Sequence, residues 1–243
     1  MTRYSSRGLQ GRVSEAIGRR IVSGALAEGA TLDVEGVESD FGVSRTVVRE
    51  AVKVLTAKGL LDARPKTGTY VLPRSSWNLL DADVMAWRGE IGLTPEFVAE
   101  LDELRRMVEP WAARRAASQR TQVDIADLSA AIERMTEAFD SRLSENGSSL
   151  SAHVQADLDF HTALLRATGN ELVAHMDAML RPVLDFRDSL IPEVEQSTDF
   201  LDAHRAVYDA VVAGDPDIAE RRMNELLDAA SEDLQRMIAR AAG

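Results

Sequence analysis

The chain has 243 residues, 45% of them hydrophobic and none of them cysteine, which gives enough apolar material for two domains and excludes disulfides, cysteine-ligated zinc and thiol catalysis. It has no apolar run resembling a secretory leader or the roughly 20 residues of a membrane span, so a soluble cytoplasmic protein is expected. The net charge of −12 argues against a nucleic-acid partner until it is divided: Met1–Ser75 carries 12 basic and 8 acidic residues, and Ser76–Gly243 carries 16 basic and 32 acidic, the pattern of a basic head on an acidic body that repels phosphate.

Leu9, Val13, Ile17 and Ile21 recur at every fourth position and mark one face of an amphipathic helix that ends at Gly24. A short second helix is expected over Val34–Phe41. It is followed by Gly42-Val43-Ser44, a turn in which Gly42 takes a positive φ and Ser44 caps the next helix. That helix runs from Arg45 to Lys58 and buries Val48, Val52 and Leu55, completing a helix-turn-helix. Leu60–Arg64 and Thr69–Leu72 read as strands on either side of Pro65-Lys66-Thr67-Gly68, a basic wing. Residues 75–94 hold Trp77, Leu79, Leu80, Val84, Met85 and Trp87, the composition of a connector that packs rather than a bare linker. Thr94-Pro95-Glu96 starts a helix, and from there the helical period continues with breaks near Ser118–Thr121, Ser144–Ser149, Gly169-Asn170, Leu190–Ser197 and Gly214-Asp215-Pro216. The expected fold is therefore mainly α. A winged helix-turn-helix of three helices and a small β-hairpin spans 1–74, and an all-α antiparallel bundle of six helices spans 95–243.

Within the third helix Arg45, Thr46 and Arg49 occupy the first turns, where side chains reach base edges. Lys53 and Lys58 are expected on phosphates, and Lys66, Thr67 and Gly68 at the wing tip in the neighbouring minor groove. In the bundle, polar residues fall on faces that should be buried: Asp157 and His161 one turn apart, His204 among Phe200, Leu201, Val207 and Val211, and Arg105 beside Leu101, Leu104, Val108 and Ala112. Such groups need partners. Two arrangements remain open: a carboxylate and two imidazoles around Zn²⁺, Mn²⁺ or Ni²⁺ with Arg105 clamping a ligand carboxylate, or hydrogen-bonded core pairs with Arg105 bridged to Glu109. No HExxH motif, Gly-rich phosphate loop or nucleophile elbow is present, so no enzyme is expected, and Trp77, Trp87 and Trp111 are expected to serve packing.

The run Gly42–Ala51, with Gly59-Leu60-Leu61 and Lys66–Val71, resembles the DNA-binding domain of the GntR family. The rest resembles the ligand-binding (FCD) domain of its FadR-type subgroup through Arg105 and Glu109, Asp157 with Phe160-His161, Gly169-Asn170, and His204 before Gly214-Asp215. The segment Trp77–Val84, with Val108-Glu109-Pro110, is similar to the galactonate-operon repressor branch. This resemblance implies a homodimer on an inverted-repeat operator, released by a small carboxylate effector that Arg105 and Asn170 would contact, and a metal held by Asp and three His. Asp157, His161 and His204 match three of those ligands, whereas the fourth falls at about Leu226, which cannot ligate. Glu35 stands where many relatives place arginine. The expectation is a repressor of aldonate- or uronate-type sugar-acid catabolism. The rival functions are a metal-dependent hydrolase or lyase with a DNA-binding appendage, and an acyl-thioester-responsive regulator.

Overall fold

The computed structural model describes residues 8–64, 68–91, 94–143, 150–177 and 198–241. Contacts divide the chain into two compact units, Met1–Gly92 and Leu93–Gly243.

The first unit contains α1 (Leu9–Val22), α2 (Val34–Phe41), α3 (Arg45–Ala57), β1 (Leu61–Arg64), β2 (Gly68–Val71) and α4 (Ala82–Ile91). Val13, Ile17 and Ile21 of α1 meet Val48, Ala51, Val52 and Leu55 of α3 in one core. Leu9 stays half exposed, since the first turn of a helix gains burial only where another element overlaps it. Gly42 ends α2 in the left-handed region (φ 59°), as the turn requires. Ser44 takes the extended backbone of a cap, but its exposed hydroxyl makes no capping hydrogen bond; its carbonyl instead accepts from Val47 and Val48. The strands pair antiparallel, with Leu61 opposite Val71 and Arg64 opposite Gly68. The other edge of β2 is covered by the segment before α2: Leu32 N donates to Thr69 O at 2.8 Å and Val71 N to Ala30 O at 3.0 Å.

The connector forms a real element. Val84 and Trp87 of α4 lie in the core of the first unit, and the Trp87 ring covers Gly18 of α1, where a Cβ would come within 2.3 Å of it. Leu80 remains exposed.

The second unit is helical throughout its described residues: α5 (Pro95–Gln119), α6 (Gln122–Leu143), α7 (Leu150–Arg166), the single turn α8 (Glu171–Ala174), α9 (Thr198–Ala213) and α10 (Pro216–Ala241). The Thr94 hydroxyl accepts from Phe97 N at the start of α5, with Pro95 in the first turn. The expected break at 144–149 and the one at 190–197 lie outside the described residues. α9 and α10, joined by Gly214 and Asp215, fold back on each other, and small residues such as Ala113, Ala116 and Ala117 let α5 approach Met223 and Leu227 of α10 closely. Trp111 departs from the packing role expected of it: it is 41% exposed and its ring is approached by Arg115 at 5.9 Å.

Candidate DNA-reading surface and buried acid–histidine cluster

The amphipathic pattern of α3 buries one side and leaves Arg45, Thr46, Arg49 and Lys53 exposed on the other. Among the described residues Arg45 and Arg49 have no ion-pair partner, so both guanidinium forks are available to guanine edges or phosphates. Lys53 meets Glu50 at 2.7 Å, but both are exposed, and a surface pair of that kind is worth at most about 1 kcal/mol, so a phosphate can displace it. Gly68 opens β2 with φ 87°, whereas Lys66 and Thr67 lie outside the described residues.

Lys58 is not a phosphate contact. Its ammonium stands 2.7 Å from both Asp81 and Asp83, with only 12% of the side chain exposed, and lies 5.9 Å from the Trp87 ring. Burial alone would lower its pKa, and the two carboxylates outweigh burial and raise it. The charge expected on DNA instead fastens α4 to the end of α3. Sequence spacing carried a hint in Asp81 and Asp83, a carboxylate pair at the start of an apolar helix.

In the second unit, α5, α7 and α9 bring Arg105, Glu109, Asp157, His161 and His204 together, all nine-tenths or more buried. Asp157 Oδ1 lies 2.9 Å from His204 Nε2 and 3.3 Å from His161 Nε2. His204 Nδ1 donates to Phe200 O at 2.8 Å. Arg105 donates from Nε to Glu109 Oε1 at 2.7 Å and from Nη2 to Oε2 at 3.3 Å. Glu109 Oε2 in turn lies 2.8 Å from His161 Nδ1. Burial would raise Glu109, but Arg105 and then His161 outweigh it and bring its pKa to about 2. Burial would lower His161, but Glu109 and Asp157 bring it up to about 9. Burial lowers His204, which is a neutral ring, while the two imidazoles hold Asp157 ionised against its own burial.

His204 therefore carries its proton on Nδ1 for Phe200 and turns an Nε2 lone pair toward a carboxylate oxygen 2.9 Å away, acceptor against acceptor. A second ring proton or a metal ion between them resolves that contact. One ligand atom from each of Asp157, His161 and His204 lies within 4.8 Å of the other two. Ligands about 2.0–2.2 Å from an ion stand roughly 2.9–3.6 Å apart, which the two Asp157 contacts match, whereas the two imidazole nitrogens, up to 4.8 Å apart, must draw together by about 1 Å to share an ion. The donor set fits a divalent ion with three protein ligands. Leu226 is buried in the α5–α10 core and adds no donor.

The remaining expected contacts are placed differently. Arg105 is engaged by Glu109 and does not stand free as a clamp. Asn170 caps α8, its Oδ1 accepting from Leu172 N at 3.0 Å and Val173 N at 3.4 Å. Beside Arg105 and Glu109 a cleft of about 280 Å³, open mouth included, is lined by Leu101, Leu104, Val108, Leu165 and Met176. His153, one turn before Asp157, was missed by the sequence reading; it is buried, with its ring centroid 4.8 Å from that of Phe200. Its spacing of four from Asp157 was the signal.

Residues 9–71 match the gntR family of bacterial regulatory proteins, and residues 100–229, more than half of the chain, match the FCD domain. The chain belongs to the GntR family. Among its relatives, this GntR-family protein is 29% identical over 213 residues to the galactonate operon transcriptional repressor of Escherichia coli, covering 86% of this chain and 90% of the relative. It is 32% identical over 211 residues to the HTH-type transcriptional regulator LutR of Bacillus subtilis, covering 84% and 90%. The solved structure of Lar from Listeria monocytogenes has the same fold, with a TM-score of 0.64 at 18% identity, covering 95% of this chain and 98% of that one. These domains and relatives are transcription regulators rather than enzymes, and the chain is a DNA-binding regulator. No helix among the described residues is long and apolar enough to cross a membrane.

Proposed function

We propose that this GntR-family protein is a homodimeric repressor of sugar-acid catabolism, released from an inverted-repeat operator by a small carboxylate. Arg45, Thr46 and Arg49 read each half-site, with Lys53 on phosphate and Lys66, Thr67 and Gly68 of the wing at the minor groove. The sugar-acid class is supported by the galactonate operon repressor among the relatives.

The charge balance of the buried cluster carries the carboxylate assignment. Without metal, Arg105 and protonated His161 balance Glu109 and Asp157, and the cluster has no net charge. A divalent ion would be held by Asp157, His161 and His204 in place of the His161 proton; it would supply Lewis acidity, and the cluster would then carry one net positive charge. A buried charge requires a partner, and a monoanion supplies it. An effector shifts operator affinity only through different affinities for the DNA-competent and released forms, so the acid favours the dimer geometry that mismatches the half-sites.

The test is fluorescence anisotropy of the protein on DNA upstream of its own gene, titrated with aldonates, uronates and simple hydroxy acids, with Zn²⁺ and after chelation. The expected result is release by one acid class in the metal-loaded protein alone. Specific DNA binding that no acid alters in either metal state refutes the sensory half of the proposal. A monomer on DNA refutes the dimer.

A further inference from the structure

The two imidazoles of the cluster are arranged alike. Each turns Nε2 toward Asp157 Oδ1, and each has an acceptor oxygen near Nδ1: for His204 the Phe200 carbonyl, hydrogen-bonded at 2.8 Å, and for His161 a Glu109 carboxylate oxygen 2.8 Å away, off the line of the N–H; Arg105 Nη2 also stands 3.4 Å from His161 Nε2. A neutral imidazole has one N–H and one lone pair, and the neighbour of one nitrogen decides which lone pair faces a metal. A carbonyl or an ionised carboxylate can only accept, so both partners keep a proton at Nδ1; on His161, protonated on both nitrogens without metal, it is the Nε2 proton that an ion would displace.

We propose that Glu109 is a positioning residue of the metal centre: it keeps the His161 proton on Nδ1, so that the Nε2 lone pair faces the ion, and Arg105 holds the carboxylate in place. Glu109 lies across the His161 ring from Asp157 and outside the cluster of three ligand atoms, so it does not ligate. Its burial without a charged neighbour would be costly, and the Arg105 fork, at 2.7 and 3.3 Å, supplies that neighbour. With Leu226 in place of a fourth donor, only three lone pairs hold the ion, and the aim of each one counts for more. The role rests on the metal reading of Asp157, His161 and His204.

The experiment is Zn²⁺ affinity, measured by competition with a chromophoric chelator, for the unaltered protein and for Glu109→Gln. With its oxygen held by Arg105, the carboxamide presents N–H to His161 Nδ1, draws the lone pair there and moves the proton to Nε2. Affinity is expected to fall about 10–100-fold, and the ¹⁵N shifts of His161 in the metal-free variant at high pH should report protonation at Nε2. Arg105→Met/Glu109→Leu, which removes both charges and leaves no acceptor at His161 Nδ1, carries the affinity test if the single variant does not fold. Unchanged Zn²⁺ affinity in a folded variant overturns the role of Glu109 and leaves the metal reading intact. No Zn²⁺ bound by the unaltered protein overturns both.

Discussion

Gly18→Ala separates helix propensity from packing, because the two make opposite predictions. In an isolated helix the exchange stabilises by about 1 kcal/mol. In the folded first unit the new Cβ would lie 2.3, 2.6 and 2.7 Å from three carbons of the Trp87 ring, where carbon contacts prefer about 3.5–4.0 Å. The ring must retreat by roughly 1 Å, and overpacking of that kind costs about 1–3 kcal/mol. Releasing α4 altogether would expose Trp87, whose roughly 200 Å² of apolar surface is worth about 5 kcal/mol, so the helix stays docked under strain. The net expectation is a loss of about 1 kcal/mol. Urea unfolding followed by tryptophan fluorescence, in a Trp111→Phe background that confines the signal to the first unit, should show the midpoint falling by roughly 1 M. An equal or higher midpoint would refute the packing of α4 on α1.

Four further outcomes follow from the same geometry. Arg49→Ala should flatten the dependence of operator binding on salt by about 0.9 in log–log slope if it contacts a phosphate, or relax preference at one base pair by about 1–3 kcal/mol if it reads guanine; Lys58→Ala should leave that slope unchanged and lower the melting temperature. Glu35→Arg, at the exposed first turn of α2, should tighten DNA binding and steepen the slope, which titration at two salt concentrations would register. For the chelated protein, the His161 pKa rises from 6.5 to about 9 on folding, so its stabilisation is complete below pH 6.5 and is lost as pH climbs through 9; Glu109 falls from 4.5 to about 2, so its share is complete above pH 4.5 and is lost toward pH 2. His204, held neutral by burial, works in the opposite sense below pH 6.5, so thermal melts of the metal-free protein should fall from about pH 7 toward 9 and again toward pH 2, and a melting temperature that rises from pH 7 to 9 would contradict the Glu109–His161–Asp157 arrangement.

The legible part of the fold was the part written in periodicity. Val13, Ile17 and Ile21 on α1 and Val48, Val52 and Leu55 on α3 declare their faces by spacing alone, and Gly42 declares the turn between α2 and α3. Asp157, His161 and His204 were visible as polar interruptions of apolar faces, which is how a buried cluster differs from a solvated one in one dimension. Pairings across long sequence distances were not visible. Lys58 looks like any basic residue near a recognition helix, and only the folded connector brings Asp81 and Asp83, more than 20 positions away, onto its ammonium. Asn170 illustrates a second limit, because the same side chain suits a ligand contact or a helix cap, and the backbone amides of Leu172 and Val173 decide between them.

Arg120 sits where α5 and α9 both end. One guanidinium nitrogen donates to Ala117 O at 2.7 Å and the other to Val212 O at 3.1 Å, so the partial negative ends of two helix dipoles share a single cation. Gly214 admits it, since a Cβ at that position would meet the guanidinium at 2.5 Å. His204 lies in the second turn of α9, toward the opposite end of the same rod. α9 is thus tied at its C-terminal end to the end of α5 through Arg120, with Gly214 leaving the room that seats the guanidinium, while its other half carries His204 of the acid–histidine cluster.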